Sequence, residues 1–542
     1  ATTATDSNGN FTLTAPAPRK QFTTSGTARS FTLEELLDEL RDIDDAPASG
    51  QDIGARLFST DLGRAAGVLG LLSQQYDVVL MNPPYGDMPP ATKLYLKGDP
   101  KQKLAGRYPR THSDLYAAFL DQGVDLLQQN GFLGALVPWT YTYQTTHQAV
   151  RTDLFTKDAR PELLHEYGYG ILDGATVGTV ATVARKVAAA AAHPTTFHRL
   201  SHHSKDHEKL SAFVSALPAL VAGCICREDE TYIATIGSLA SVPGSPYAYW
   251  ASESLRNLFV RFPPLDRDQR GVLGDERPDA KFADAKQGLA TADDPRFLRF
   301  WWEVSPTASG RGRRWVPFVK GGKQVHFYTR IDLVLDWHDD GKEIRSWIDE
   351  YRQKHPGQYL KNLDRMGAAA VTWPRASWRL RRFGLVPVDC MFADKGPCIF
   401  PIGPTTPAKV LDLLNSSVGM ISLLMQTPER MWEVRTVGAI PVPTSIPDNV
   451  GELSTQLEQI VRQSRHEGSE TCRDYVAPSL LRLHRETGVS LDLTGLLARY
   501  AANTRAAEER EVELIRELDR VVSDLYDLSA EDRALVEREL AR

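Results

Sequence analysis

Cysteine is scarce in this chain: Cys224, Cys226, Cys390, Cys398 and Cys472 are the only ones among 542 residues. An odd and irregularly spaced set excludes a disulfide scaffold. Cys224-Ile225-Cys226 is too tight for the usual zinc pair and no Cys/His set completes four ligands, so no metal site is expected. Long apolar runs are missing too. No stretch reaches the ~18–20 residues that a membrane helix needs, and residues 1–30 lack the apolar core of a signal peptide. The expected location is cytoplasmic, with no membrane partner. Neither sign of charge dominates: 63 Lys and Arg stand against 69 Asp and Glu, a net charge of −6. That argues against a purely electrostatic nucleic-acid binder, but not against positive charge confined to one cleft. Internal repeats are absent as well.

What is present has a clear order. Residues 1–30 read as a flexible lead. Phe31–Leu40 has the spacing of a short helix, with Thr32 as N-cap and Glu35 three residues on. Ala55–Gly63 resembles a strand end followed by a turn. Tyr76-Asp-Val-Val-Leu-Met81 is a continuous apolar run, which predicts a strand buried on both faces of a parallel sheet. Asp114–Leu127 has helical spacing and is expected to stop at Asn130-Gly131. Phe132–Val137 predicts a second buried strand, Val150–Leu154 a helix, and Leu163–Tyr167 and Val177–Val187 two further strands. Such alternation means an α/β fold, a partial doubly wound, Rossmann-like sheet over residues 31–190. Residues 191–245, Ala-rich and His-rich, read as a linker. Residues 246–448 predict an α+β domain, and 449–542 a helical C-terminal region ending in amphipathic helices at Ala501–Arg542.

Asn82-Pro83-Pro84-Tyr85 is the most specific signal. By average residue usage, this tetrapeptide has a chance of roughly one in several hundred in a chain of this length. It follows the Tyr76–Met81 run directly, at the carboxyl strand end where open α/β sheets place their sites. An ordinary strand-terminating Pro-Pro turn is the plain alternative. Each residue suits one chemistry. An exocyclic adenine amine is a poor nucleophile because its lone pair is delocalised into the ring. Acceptors aimed at its two hydrogens favour the transition state in which the nitrogen turns tetrahedral and positive. The Asn82 amide oxygen supplies one acceptor. A carbonyl of Pro83 or Pro84 supplies the other, its direction fixed by the locked φ of the prolines. Tyr85 offers a flat face on which an extruded base can stack.

With those residues in view, Asn82–Tyr85 resembles motif IV of the amino-methyltransferases, in the variant typical of adenine-N6 enzymes. Asp114–Leu127 looks like motif V and Asn130–Pro138 like motif VI. Leu163–Gly170 with Asp173–Thr179 resembles motifs VII and VIII. Asp61 is similar to the acidic residue of motif III that contacts the cofactor's adenine, though a helix N-cap explains it equally well. The segments Lys286–Phe297, Trp301-Trp302-Glu303, Trp315–Gly322, Leu413–Ser416 and Ile440–Pro443 look like the PglX methyltransferases of BREX phage-defence systems. The type IIG restriction–modification enzymes share that plan. The resemblance implies S-adenosylmethionine as cofactor, with Asp61 and Asn82 beside it, double-stranded DNA as partner, and a target-recognition domain over residues 246–448.

Two departures stand out. Where some family members place a second aromatic, this chain has Arg185-Lys186, leaving Phe197 or Tyr169 to take that part. No Phe-x-Gly-x-Gly loop or ribose-binding acid precedes Asn82. The expectation is therefore a fragment, or one chain of a split enzyme, completed by an N-terminal segment or second chain. Alone it should bind the cofactor very weakly, methylate nothing and expose an apolar sheet edge. Arg311, Arg313, Arg314, Arg379, Arg381 and Arg382, with Trp315, Trp378 and Trp302, are the expected DNA contacts, since Arg forks suit phosphates and guanine edges. His202, His203 and His207 read as surface loop residues. The expected function is site-specific adenine-N6 methylation of DNA in a phage-defence or restriction–modification system. The alternatives are a non-catalytic DNA-recognition module and a subunit that recruits other defence proteins.

Overall fold

The computed structural model describes residues 3–5, 11–13, 67–68 and 70 onward, apart from 87, 100–103, 173–176, 189–192, 222–229, 270–280, 322–324, 378, 430 and 488–491. The expected helix Phe31–Leu40, the turn at Ala55–Gly63, Asp61 and Trp378 lie outside the described residues. The chain divides into two compact units, Ala1–Tyr76 and Asp77–Arg542. In the first, Thr3–Thr5 pairs antiparallel with Phe11–Leu13.

The second unit opens on a six-stranded sheet. Its elements in chain order are β1 (Tyr76–Met81), α1 (Pro90–Lys97), α2 (Leu115–Asp125), β2 (Leu127–Pro138), β3 (Arg160–Gly168), β4 (Thr179–Arg185), β5 (Pro194–Arg199), α3 (Asp206–Val221) and β6 (Thr231–Thr235). The strand order is β6-β5-β3-β4-β2-β1. The sheet is mixed: β4 runs antiparallel to both β2 and β3, while β3 and β5 are parallel. Only residues 169–178 join β3 to β4, too few for a parallel crossover of a dozen or more. The antiparallel return is thus forced by loop length.

Three sequence expectations need correction here. Tyr76–Met81 is a strand, but among the described residues it lies at an edge of this sheet, with Val78 and Leu80 54% and 79% exposed. Only Val79 and Met81 pack against the core. Asn130-Gly131 does not end α2; it lies inside β2, where Asn130 takes a positive φ of 71°. Residues 191–245, expected as a linker, contribute β5, α3 and β6, so the sheet continues through them. Val150–Asp158 is helical as expected, in a π-helical form.

Further along come β7 (Ala283–Lys286), β8 (Leu298–Phe300), β9 (Trp315–Val319), β10 (Val325–Thr329), β11 (Leu333–Asp336), α4 (His338–Lys354), β12 (Ala370–Thr372), β13 (Gly384–Val386), β14 (Met391–Phe392) and β15 (Cys398–Pro401). They form a five-stranded sheet, β7-β15-β12-β13-β10, and a four-stranded one, β8-β11-β9-β14. The helices α5 (Pro407–Asn415), α6 (Ser417–Gln426), α7 (Glu452–Arg465), α8 (Ser479–Thr487), α9 (Leu493–Leu525) and α10 (Ala530–Ala541) follow. The buried stripe of α9, at Glu511, Leu514, Leu518 and Val522, repeats every three to four residues, the period of a helix with one face on a core. That core is shared. Leu514, Leu518, Val522 and Val536 belong to the same buried cluster as Leu120, Leu133 and Leu164 of the first sheet. No single described helix is long and apolar enough to cross a membrane.

Candidate active site

The loop after β1 is shaped by what prolines cannot do. Neither Pro83 nor Pro84 has an N–H to extend a ladder, so the strand ends and the chain turns out. Pro83 is buried, Asn82 and Pro84 are exposed, and Tyr85 is half-buried with its ring against the core. Gly86 has φ of +129°, a conformation L side chains rarely adopt. Its N–H donates to Asp114 Oδ1 (3.5 Å), and the same oxygen caps α2 by accepting from the Tyr116 N–H (3.4 Å). One carboxylate therefore ties the Asn82–Tyr85 loop to the start of α2.

The tie continues inward. Tyr116, buried in α2, hydrogen-bonds through its hydroxyl to Thr140 Oγ1 (2.9 Å), in the turn that follows β2. Burial pushes that phenol well above its ordinary range. His147 shares Nδ1 with Ser113 Oγ (3.0 Å), beside Asp114. Burial, then the neighbouring Arg151 charge, holds His147 down to about 4, so it stays neutral. Arg151 itself is 1% exposed. Its guanidinium donates to the carbonyls of Tyr141, Tyr143, Gln144, Gly244 and Ser245. Burial without a carboxylate lowers it to about 10. Five donors from one planar group gather carbonyls of the post-β2 turn and of residues 244–245, and so fix the course of that turn.

An aromatic wall stands at this end of the sheet. Pro138, Thr179 and Gly168 lie in one row across β2, β4 and β3. Trp139 follows the first and Tyr169 the last, their rings edge to face at 5.6 Å, with Tyr143 against Trp139 at 6.1 Å. A Cβ on Gly178 would come within 2.5 Å of the Trp139 ring, so only glycine fits beneath it. Tyr169 is 49% exposed, and its hydroxyl donates to Glu429 Oε1 (3.3 Å), which arrives from just beyond α6. Of the two aromatics expected to take the second-stack part, Phe197 is fully buried and stacked on Tyr249 at 4.4 Å. It has no face to offer. Tyr169 keeps one.

The arginine set divides. Arg311 is 83% exposed and paired with Asp389 (3.1 Å); Arg313 is exposed beside it. Both sit on a tight turn in which Gly310 and Gly312 take positive φ and the Gly310 N–H donates to the Trp315 carbonyl. Arg314 binds Asp336 through two nitrogens (3.0 and 2.6 Å) and lies over the half-buried Trp315 ring. Trp302 is half-exposed and stacked on Phe300 at 4.6 Å. By contrast, Arg382 is wholly buried. It donates to the Ser377 and Arg375 carbonyls, with its guanidinium 3.6 Å from the Trp432 ring centre. Arg381 is held by both oxygens of Asp519 (3.0 and 2.6 Å) and by the Asn415 carbonyl. Arg382 is a correction, its guanidinium enclosed in the interior, whereas Arg381 is half-buried and engaged by Asp519. Arg379 is half-buried.

Sequence reading missed Asp114 as a cap, although an Asp just before a helical pattern is a signal that could have found it. Arg151 and Glu429 were not legible, because their acceptors and neighbours lie far away in sequence.

Residues 21–171 match the family described as Eco57I restriction-modification methylase. The chain is 25% identical over 487 residues to the adenine-specific methyltransferase PglX of Lacticaseibacillus casei (strain Zhang), covering 85% of this chain and 37% of that protein. It is 26% identical over 336 residues to the adenine-specific methyltransferase BrxX of Escherichia coli O9:H4 (strain HS), covering 61% and 24% respectively. The chain thus spans about a third or less of the length of these relatives. Among solved structures, it is similar to the type IIL restriction-modification enzyme MmeI in complex with DNA, at 13% identity and a TM-score of 0.48, over 86% of this chain and 57% of the other.

Proposed function

We propose, from the premise that residues 21–171 match a restriction-modification methylase family, that this chain carries the base-holding part of a DNA adenine-N6 methyltransferase. The observation that carries the reading is the Asn82–Tyr85 loop: an exposed amide and a half-exposed ring at a strand end, fixed to α2 through Asp114. The Asn82 amide oxygen and a carbonyl of the Pro83-Pro84 step accept the two amine hydrogens of adenine, an interaction that strengthens as positive charge develops. Tyr85 stacks on one face of the extruded base. Tyr169, anchored by Glu429 and Trp139, supports the other. Asn82 also borders the S-adenosylmethionine side of the site, with Asp61 as a candidate for the cofactor's adenine. That cofactor supplies an activated methyl group when bound.

Arg311 and Arg313, on their exposed turn, are the side chains we assign to phosphate contact with double-stranded DNA, with Trp302 free on one face to stack. The names of the relatives suggest a protein that marks DNA within a defence or restriction–modification system.

In the complete enzyme, Asn82→Ala is expected to lower methyl transfer from tritiated S-adenosylmethionine by ~100-fold or more, with DNA affinity changed less than about two-fold, since the contact matters chiefly in the transition state. Retention of more than a tenth of wild-type turnover sinks the assignment. Tyr85→Ala should quench the 2-aminopurine signal of base extrusion, and Tyr85→Phe should restore it, because stacking needs a ring alone. A phenylalanine variant that behaves like alanine makes the hydroxyl the working group instead.

A further inference from the structure

The turn that leaves β5 and the residue that precedes β6 bring two imidazoles to one carboxylate. His203 Nε2 lies 3.0 Å from Glu230 Oε1, and His202 Nε2 lies 3.5 Å from the same oxygen. All three ligand atoms fall within 4.8 Å of one another. We propose that His202, His203 and Glu230 form a binding site for a divalent transition metal of the zinc class, clasping the two ends of the connection between β5 and β6.

The distances carry the argument. Zinc bound tetrahedrally at ~2.0–2.1 Å holds its ligand atoms ~3.3–3.4 Å apart. The two separations seen here bracket that value, so an ion enters with shifts of a few tenths of an ångström. The backbone is already set for it. The Glu230 carbonyl accepts from the Arg199 N–H (2.7 Å), fixing the carboxylate relative to β5, and the His203 N–H donates to the Leu200 carbonyl (3.1 Å), closing the turn. The two rings lie 4.2 Å apart, tilted by 35°.

Burial adds direction. The Glu230 side chain is 1% exposed, whereas His202 and His203 retain 19% and 21%. The imidazole side of the cluster is therefore the more open one, where a water would complete the fourth position. A neighbouring imidazole points to unmet polar demand. His198, paired with Thr231 in the ladder, is wholly buried, with Nδ1 against His165 Nδ1 (3.1 Å) and Nε2 without a hydrogen-bond partner. Two imidazoles and one carboxylate select zinc, nickel or copper over magnesium or calcium, which favour oxygen alone. The cluster escapes a search for Cys/His spacing because its acid lies 27 residues beyond His203.

The test uses the untagged chain, stripped with chelator and retitrated. Zinc should bind with a stoichiometry of one and raise the melting temperature, as a ligand of the native state must. Cobalt should give the intense visible bands of tetrahedral coordination. His203→Gln and Glu230→Gln should each weaken zinc binding by roughly ten-fold or more, with unchanged circular dichroism, while His207→Gln, exposed on α3, should leave it intact. Zinc below about a tenth of an equivalent in the wild-type chain, or a six-coordinate cobalt spectrum, overturns the proposal whatever the variants do. In that case the imidazoles are simply hydrogen-bonded to the carboxylate.

Discussion

Two short stretches of this chain have nearly the same composition and opposite fates. Arg311-Gly-Arg-Arg-Trp315 and Arg375-Ala-Ser-Trp-Arg-Leu-Arg-Arg-Phe383 both set arginines beside tryptophans. The first rides a glycine turn, with Arg311 and Arg313 in solvent. The second turns its last two arginines inward, onto Trp432, Asn415 and Asp519. The difference lies outside either stretch. Asp519 is 138 residues from Arg381 and sits on α9, whose inward face is mostly apolar, with Leu514, Leu518 and Val522. An arginine fork satisfied by distant carbonyls and a carboxylate is drawn toward the interior; one on a glycine turn stays in solvent, within reach of a ligand.

The sharpest way to break that comparison is through stability. Arg382→Met removes two hydrogen bonds to carbonyls and a buried cation–ring contact, and should cost about 2–4 kcal/mol in urea unfolding. A loss below about 0.5 kcal/mol, typical of surface sites, places Arg382 in the same class as Arg313. A smaller effect is expected at Asp519→Asn, about 1–2 kcal/mol, because the pair is only partly buried and the amide keeps one acceptor. A double-mutant cycle with Arg381→Ala isolates the coupling; additive single effects erase the interior role. The least change in stability belongs to Arg311→Ala and Arg313→Ala, within about 0.5 kcal/mol. Each should instead reduce the slope of log affinity for duplex DNA against log salt by about one. Slopes unchanged between ~50 and 200 mM salt move the DNA footprint away from this turn.

Much of the region around Asn82–Tyr85 was readable because its signals are local. A strand, a proline-locked turn and a capped helix announce themselves over ten to fifteen residues, and β1, α2 and the Asn82–Tyr85 loop stand where their patterns put them. Face burial was not readable. Tyr76–Met81 has the continuous apolar run of a central strand, yet Leu80 is 79% exposed, since burial depends on neighbours rather than on the run itself. Residues 191–245 misled in the opposite sense. Alanines and histidines dilute the apolar alternation of β5 and β6; β5 owes its place to pairing with β3, and β6 to pairing with β5. The Arg382 assignment failed for the same reason: cation and aromatic composition is common to DNA surfaces and to cores, and only the third partner distinguishes them.

The shared core of the first sheet and the last helices has a temporal side. Arg199, at the end of β5, pairs with Glu539 of α10 across 340 positions of sequence (2.6 Å). At the ~5–20 residues per second of protein synthesis, that separation is about 17–70 s of elongation. During that interval β5 has left the ribosome while Leu514, Leu518 and Val522, which cover part of the same core, are not yet made. The nascent sheet must wait with apolar surface bare, longest in slowly translating cells. Pausing between the codons for residues 200 and 510 should thus lengthen chaperone association in proportion to the delay, and ribosome-bound chains stalled before α9 should remain open to protease at the first sheet.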